Sequence, residues 1–195
     1  MKRFSAFPVL TLGLVFLSTA ASAATFKVDP DHTTVSFKIR HLFSQVQGEF
    51  TEFEGAFDYD AAKPEAWKAN GTIKAASINT RVPERDKHLR SADFFDAEKF
   101  PTITFKSAKF TDVTAEHAKM EGALAIHGVE KPVTLDVEIH GVGKDPWGNV
   151  RAGFTAKTTI DRRDFGLKWN EALETGKFLV GDEVVITLEV EGIQQ

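Results

Sequence analysis

Val35, Phe37 and Ile39 alternate with Ser36, Lys38 and Arg40 between Thr33 and His41, and a period of two gathers apolar side chains on one face only if the backbone is extended. The same alternation returns in Ile103 and Phe105, in Met120, Leu124 and Ile126, and in Val133, Leu135, Val137 and Ile139. It returns again in Val150, Ala152, Phe154 and Ile160, and in Val184, Ile186, Leu188 and Val190. Between Val46 and Asp60 the apolar set changes parity, from Val46 and Phe50 to Phe53, Phe57 and Tyr59, which predicts a bulge or bend near Thr51 and Glu52. In "IHGVEKPV", Gly128 suits a hairpin turn with positive φ, and Pro132 is expected at the start of the next strand, where its missing N–H costs least. About eight strands joined by hairpins, with one convincing helical stretch near residues 83–96, predict an all-β, antiparallel up-and-down barrel in preference to a sandwich.

The N-terminus bounds the compartment. Lys2 and Arg3 precede an apolar stretch from Ala6 to Leu17 and the small-residue run Ala21-Ser22-Ala23, the layout of a cleaved secretory signal peptide. The expected mature chain is a single domain over residues 24–195, exported to the periplasm, with no transmembrane segment because no apolar run reaches the roughly 20 residues a spanning helix needs. With Lys2 and Arg3 removed, 22 of the 24 basic side chains face 28 acids, a net charge of -6. A net acidic chain without a basic block argues against nucleic acid as a partner. The chain has no Cys, so its folding rests on the core alone.

Loss of Phe4, Phe7 and Phe16 with the leader leaves 14 of 17 Phe, beside three Trp and one Tyr. These rings either fill the core of a barrel or line it around one apolar ligand, since a barrel of about eight strands is at the size where both occur. Periodicity leaves both open.

"ERDKHLRSADFF", residues 84–95, is the densest charged stretch. Pro83 suits a first helical turn, with Glu84 and Asp86 favourably placed for the helix dipole. On a helical wheel Arg85, His88, Leu89 and Ala92 share one side, with Phe95 near it, while Asp86, Lys87, Arg90 and Asp93 lie away and Asp86–Arg90 and Glu84–His88 form i,i+4 pairs. Such a helix packs Leu89 on the barrel and keeps its charges wet, or rims a ligand mouth. Its three bases and three acids from Glu84 to Asp93 balance, which predicts a neutral head group for any amphiphile bound there. An Arg85/Asp86/His88 acid–base site is the alternative, but no G-x-S-x-G, H-E-x-x-H, Gly-rich phosphate loop or Cys accompanies it. No catalytic residue and no cofactor is therefore assigned. The six His show no i,i+4 pair, so no metal site is assigned either, and Asp29, Asp31 and His32 in "DPDH" are read as turn chemistry. The "DPWGN" turn carries Trp147, which covers a barrel mouth or packs on a strand. The segment after "DRRDFGLKWN", with Gly176 and Gly181, is read as an irregular strand and loop able to gate the interior.

"FKIRHLFSQVQGEF", "ERDKHLRSADFFDAEKFPTITF", "AIHGVEKPVTLDV" and "DPWGNVRAGFTAKTTIDRRDFG" resemble, in order, successive blocks of the YceI-like family of exported lipid-binding proteins. The resemblance covers the chain after the leader. It implies a lipocalin-like barrel that holds a polyisoprenoid, or another long-chain quinone or fatty-acid-like amphiphile, without catalysis. Carried onto this sequence, the ligand contacts it implies are Phe37, Ile39, His41 and Phe43 in the first block, and Arg85, Asp86, His88, Leu89, Phe94, Phe95 and Phe105 in the second. Trp147, Phe154 and Phe165 follow in the fourth, with Trp169 just beyond it. A filled structural barrel that binds another protein remains the third reading, and self-association as a homodimer is left open. The intact mass of the exported form is expected to correspond to a start at Ala24, with folding indifferent to reductant; a membrane-retained chain keeping its first 23 residues would refute the assignment.

Overall fold

The computed structural model describes residues 23–173 and 178–195. Nearly all of the expected leader, and Gly176 of the expected gating loop, lie outside the described residues. Eleven strands are present among the described residues: β1 (Ala24–Val28), β2 (Thr34–His41), β3 (Ser44–Phe50), β4 (Phe53–Tyr59), β5 (Lys68–Lys74), β6 (Ile78–Asn79), β7 (Thr102–Thr111), β8 (His117–Ile126), β9 (Val129–Lys144), β10 (Val150–Asp161) and β11 (Val180–Gln194). The single α-helix among the described residues, α1, runs Pro83–Arg90.

The strands form eight staves. β11 pairs with β10 on one side, and on the other with β2 near its start and β1 near its end. β3 and β4 follow one another beside β2 and β1, and β6 and β5 do the same beside β3 and β4. Three staves are thus each broken once, at the 3₁₀ turn Pro30–His32, at Thr51–Glu52 and at the 3₁₀ turn Ala75–Ser77. The remaining staves β7, β8, β9, β10 and β11 are continuous, and the pairing of β1 with both β4 and β11 closes an antiparallel eight-stranded barrel. The break at Thr51–Glu52 is the bend that the parity change predicts. β5 presents Ala69, Gly71 and Ile73 inward, side chains too small to make an alternation visible.

The barrel has two unlike ends. The β2–β3 turn, α1, the β8–β9 turn and the segment from Arg162 lie at one, here the helix end; the β4–β5, β7–β8 and β9–β10 connections lie at the other, the closed end. The β8–β9 turn holds both His127 (φ 53) and Gly128 (φ 74) at positive φ, which suits a two-residue hairpin of type I′. Pro132 stands inside β9, not at its start, opposite Ala123. Counting from the Ile126–Val129 pair beside the turn, Ala123–Pro132 is a non-hydrogen-bonded pair. The missing N–H therefore faces the flank where the β10 ladder has already ended at Asp136. α1 stops at Arg90, short of residue 96, because Ser91 turns back onto His88 through both its N–H and its hydroxyl, and Phe95 N–H reaches the Leu89 carbonyl. No helix among the described residues is long and apolar enough to cross a membrane.

Outside the closed end, Arg151 of β10 ties three elements together. Its guanidinium donates to Asp29 before the first 3₁₀ turn at 2.7 Å, to Asp145 of the β9–β10 turn at 2.8 Å and to Glu191 of β11 at 2.5 Å. Hydrogen bonding to Arg151 is the main cause that holds the Asp29 and Asp145 carboxyls below the usual carboxylate range. A carboxyl lowered on folding contributes stability above its unfolded pKa of about 3.9 and loses it as pH falls towards the folded value. The melting temperature is therefore expected to stay level from neutral pH to about 5 and to fall below about 4. Arg151→Met is expected to lower the plateau and flatten that acid limb, as read by thermal scans across pH.

Candidate functional site

The barrel axis is hollow. A chamber of about 310 Å³ fills the helix end, and a second of about 160 Å³ lies towards the closed end. Inward side chains of every stave line them, because the pleat sends alternate residues to the interior. Phe37, Ile39, His41, Leu89, Phe94, Phe95, Phe105, Phe165 and Trp169 line the first chamber together with Arg85 and His88. Phe105 and Phe154 line the second.

Three expected contacts line neither chamber. Phe43 is 95 % exposed at the tip of the β2–β3 hairpin, where the turn after His41 ends the strand and with it the inward parity. Trp147 is 81 % exposed on the β9–β10 turn at the opposite end of the barrel from α1, and only its backbone N–H is held, donating to the Asp145 carboxylate at 2.9 Å. Asp86 is buried, 7 % exposed, but its carboxylate serves the backbone N–H and hydroxyl of Thr80 at 2.8 and 2.5 Å. The wheel expectation for Asp86 is corrected accordingly: it turns to the strand-exit residue Thr80, and Arg90 donates instead to the carbonyls of Ala76 and Ile78.

Thr80 is thus the hub that aims α1. Arg85 donates to its hydroxyl through Nε and to its carbonyl through Nη2, each at 2.8 Å, so Asp86 and Arg85 grip one residue from two sides of the helix. His88 lies 2.9 Å from Asp93 through Nε2 and meets the rings of Phe94 and Trp169 edge-on at 5.1 and 4.9 Å. Sequence reasoning missed Thr80, and it missed Arg162, which lines the same chamber. Arg162 is 5 % exposed and donates to the carbonyls of Gly181, Leu167 and Trp169 at 2.8, 2.5 and 2.9 Å. Burial pulls its guanidinium below its ordinary value, against the opposing charge of Asp182. The first Arg of "DRRDFG" was the available signal, since an Arg followed by Phe165 and Leu167 on a tight turn is placed to satisfy that turn's carbonyls.

At the other end, ligand atoms of Asp29, His32 and Glu191 lie within 4.8 Å of one another. Arg151 already donates to both carboxylates, and its positive charge occupies the position a metal ion would take.

An antiparallel barrel with an apolar hollow axis and polar side chains gathered at one end has the form of barrels wide enough to hold one small ligand. The chain belongs to the YceI-like domain family, which matches residues 26–192. A UPF0312 protein of Pseudomonas putida strain F1 is 42% identical over 193 residues, covering 97% of both chains. The crystal structure of Burkholderia cenocepacia BcnA is similar at TM-score 0.75 and 26% identity, over 84% of this chain and 98% of that one. A polyisoprenoid binding domain from Saccharophagus degradans shares the fold at TM-score 0.65 and 13% identity, over 89% of this chain and 100% of its own.

Asp86→Ala strips the buried Thr80 N–H and hydroxyl of their acceptor. It is expected to cost about 1–3 kcal/mol in urea unfolding, with the Arg85 side chain released from its pose. A loss within error would show that Thr80 does not anchor α1.

Proposed function

We propose that the protein is an exported periplasmic carrier whose single domain, residues 24–195, shields the chain of a polyisoprenoid or similar long amphiphile. The observation that carries this reading is the asymmetry of the interior: two apolar chambers in line, with Arg85, His88 and Arg162 only in the one beneath α1. Apolar area removed from water stabilises such a complex in proportion to chain length. The YceI-like family match and the description of the Saccharophagus degradans neighbour as polyisoprenoid binding support the same ligand class. Export is supported by the Ala21-Ser22-Ala23 run, since β1 opens at Ala24.

Binding is favoured over catalysis by how the polar groups are used. The Thr80 hydroxyl donates to Asp86 while accepting from Arg85, and His88 is turned to Asp93. Among the described residues of the chamber beneath α1, the His88–Asp93 pair faces the rings of Phe94 and Trp169, not a nucleophile. The same accounting favours a neutral head group. Two of the Arg85 nitrogens are engaged by Thr80, and Arg162 is engaged by three carbonyls, so few donors remain for a multiply charged anion. Mass spectrometry of lipid extracted from protein purified out of its native periplasm is expected to yield a long-chain isoprenoid, quinone, alcohol or amide. Arg85→Ala or His88→Ala is expected to weaken a matched prenyl alcohol or quinone by about 1–3 kcal/mol in titrations while chain binding persists. A salt-sensitive preference for the prenyl pyrophosphate that vanishes in Arg85→Ala would overturn the neutral head, and protein empty of lipid would overturn the carrier.

A further inference from the structure

Two chambers in series raise the question of what separates them. Six residues belong to both walls: Val35, Ile73, Ile103, Phe105, Leu124 and Leu188. They come from β2, β5, β7, β8 and β11, so they form a belt around the axis. Phe105 is the only aromatic side chain in that belt, and it packs against the buried clusters on both sides. Its ring is held in a notch. A methyl group at Gly122 on the neighbouring strand would lie 2.5 Å from Phe105 Cζ and 2.5 Å from the Lys106 carbonyl oxygen, so only glycine lets the ring lie there. The ring thus packs directly against the backbone of the neighbouring strand at the waist between the two chambers.

Beyond the waist the second chamber ends on a floor of rings. Tyr59 meets Trp67 at 4.7 Å and Phe154 at 5.2 Å, Phe154 meets Phe57 at 5.1 Å, and Phe57 stacks on Phe26 at 5.2 Å. Phe26 and Ala152, each 1 % exposed, seal the layer behind it. Edge-to-face and stacked contacts of this kind pack these rings closely across that end of the chamber.

We propose that the interior reads chain length, resting on the carrier reading above: the head group stays beneath α1, the tail passes the Phe105 waist, and the ring floor sets the longest tail that is fully shielded. Phe105 and Ala156 are then specificity-determining residues, Ala156 because it lines only the second chamber and leaves room for the tail. Each methylene of a tail that the second chamber removes from water is worth about fourfold in affinity. Tails that end short of the waist are indifferent to the second chamber, and longer tails depend on it.

The three Trp make this directly measurable, because Trp67 lines the second chamber, Trp169 the first, and Trp147 neither. In Trp147→Phe/Trp169→Phe protein, hexadecanol brominated at its far end is expected to quench Trp67, whereas hexadecanol brominated beside its hydroxyl is not. In Trp67→Phe/Trp147→Phe protein the pattern at Trp169 is expected to reverse. Ala156→Phe, which fills the second chamber, is expected to weaken docosanol by more than about tenfold while leaving decanol within about twofold. Binding of the brominated alcohols is confirmed separately by mass spectrometry of the complex. Bound far-end bromide that leaves Trp67 bright overturns the length-reading proposal, as does equal loss of both alcohols in folded Ala156→Phe. Absence of any bound alcohol would instead overturn the carrier reading on which it rests.

Discussion

Closure of the sheet on itself is the constraint from which the rest of the molecule follows. A single strand, β11, accepts β10 along one flank and both β1 and β2 along the other. No straight strand can keep that register around a closed barrel, since strands must tilt and coil to meet. The chain bends three of its staves, at Pro30–His32, Thr51–Glu52 and Ala75–Ser77. Closure also leaves no free edge among the long staves, so the backbone polar groups there are used within the protein. An apolar hollow becomes tolerable for that reason: its wall has only side chains to offer.

The hollow persists because rings and glycines alternate across neighbouring strands. Phe37 lies over Gly48, Phe105 over Gly122 and Phe57 over Gly192, and a methyl group at any of these glycines would come within 2.7 Å of the ring. At Gly48 and Gly122 the missing Cβ lets the Phe37 and Phe105 rings lie against the wall, whereas Phe57, over Gly192, joins the ring floor of the second chamber. A Phe-rich barrel of this width would otherwise close its own bore, which is why counting Phe in the sequence could not distinguish a filled core from a lined cavity.

What the sequence made legible divides along the same physical line. Strands carrying large alternating side chains, such as Val133 to Ile139 or Val184 to Val190, were readable because burial on one face leaves a period of two. β5 was not, since Ala69 and Gly71 carry little hydrophobic signal, and β1 is too short for a pattern. Placement of Phe37, Phe105 and Phe154 in the wall follows from parity within a strand. Parity fails at turns: Phe43 continues the series of Phe37, Ile39 and His41 in number, yet the chain reverses at Leu42, held at φ 50, and the ring is left outside. Asp86 was misread for a related reason. A helical wheel sees only partners within the helix, whereas the acceptors and donors that matter, on Thr80, Ala76 and Ile78, come from the segment before it. Membership of a family was more legible than any single contact, because four ordered blocks constrain a whole chain while each contact depends on one turn.

The two ends of β10 show how one residue type can serve opposite needs. Arg151 at its start is bound by three carboxylates on the outer surface, and Arg162, just past its end, is bound by three carbonyls in the interior. The first arrangement rests on carboxylates, which acid protonates; the second rests mainly on carbonyls, which do not protonate in that range, with Asp182 a longer contact at 3.4 Å. Acid therefore loosens the closed end, where Asp29 and Asp145 hold the β1–β2 break and the β9–β10 turn, and the turn beneath α1 carries a carboxylate of its own, Asp161, paired with Arg163. An interior Arg held by carbonyls is satisfied within the protein, and no buried side-chain polar atom among the described residues lacks a partner.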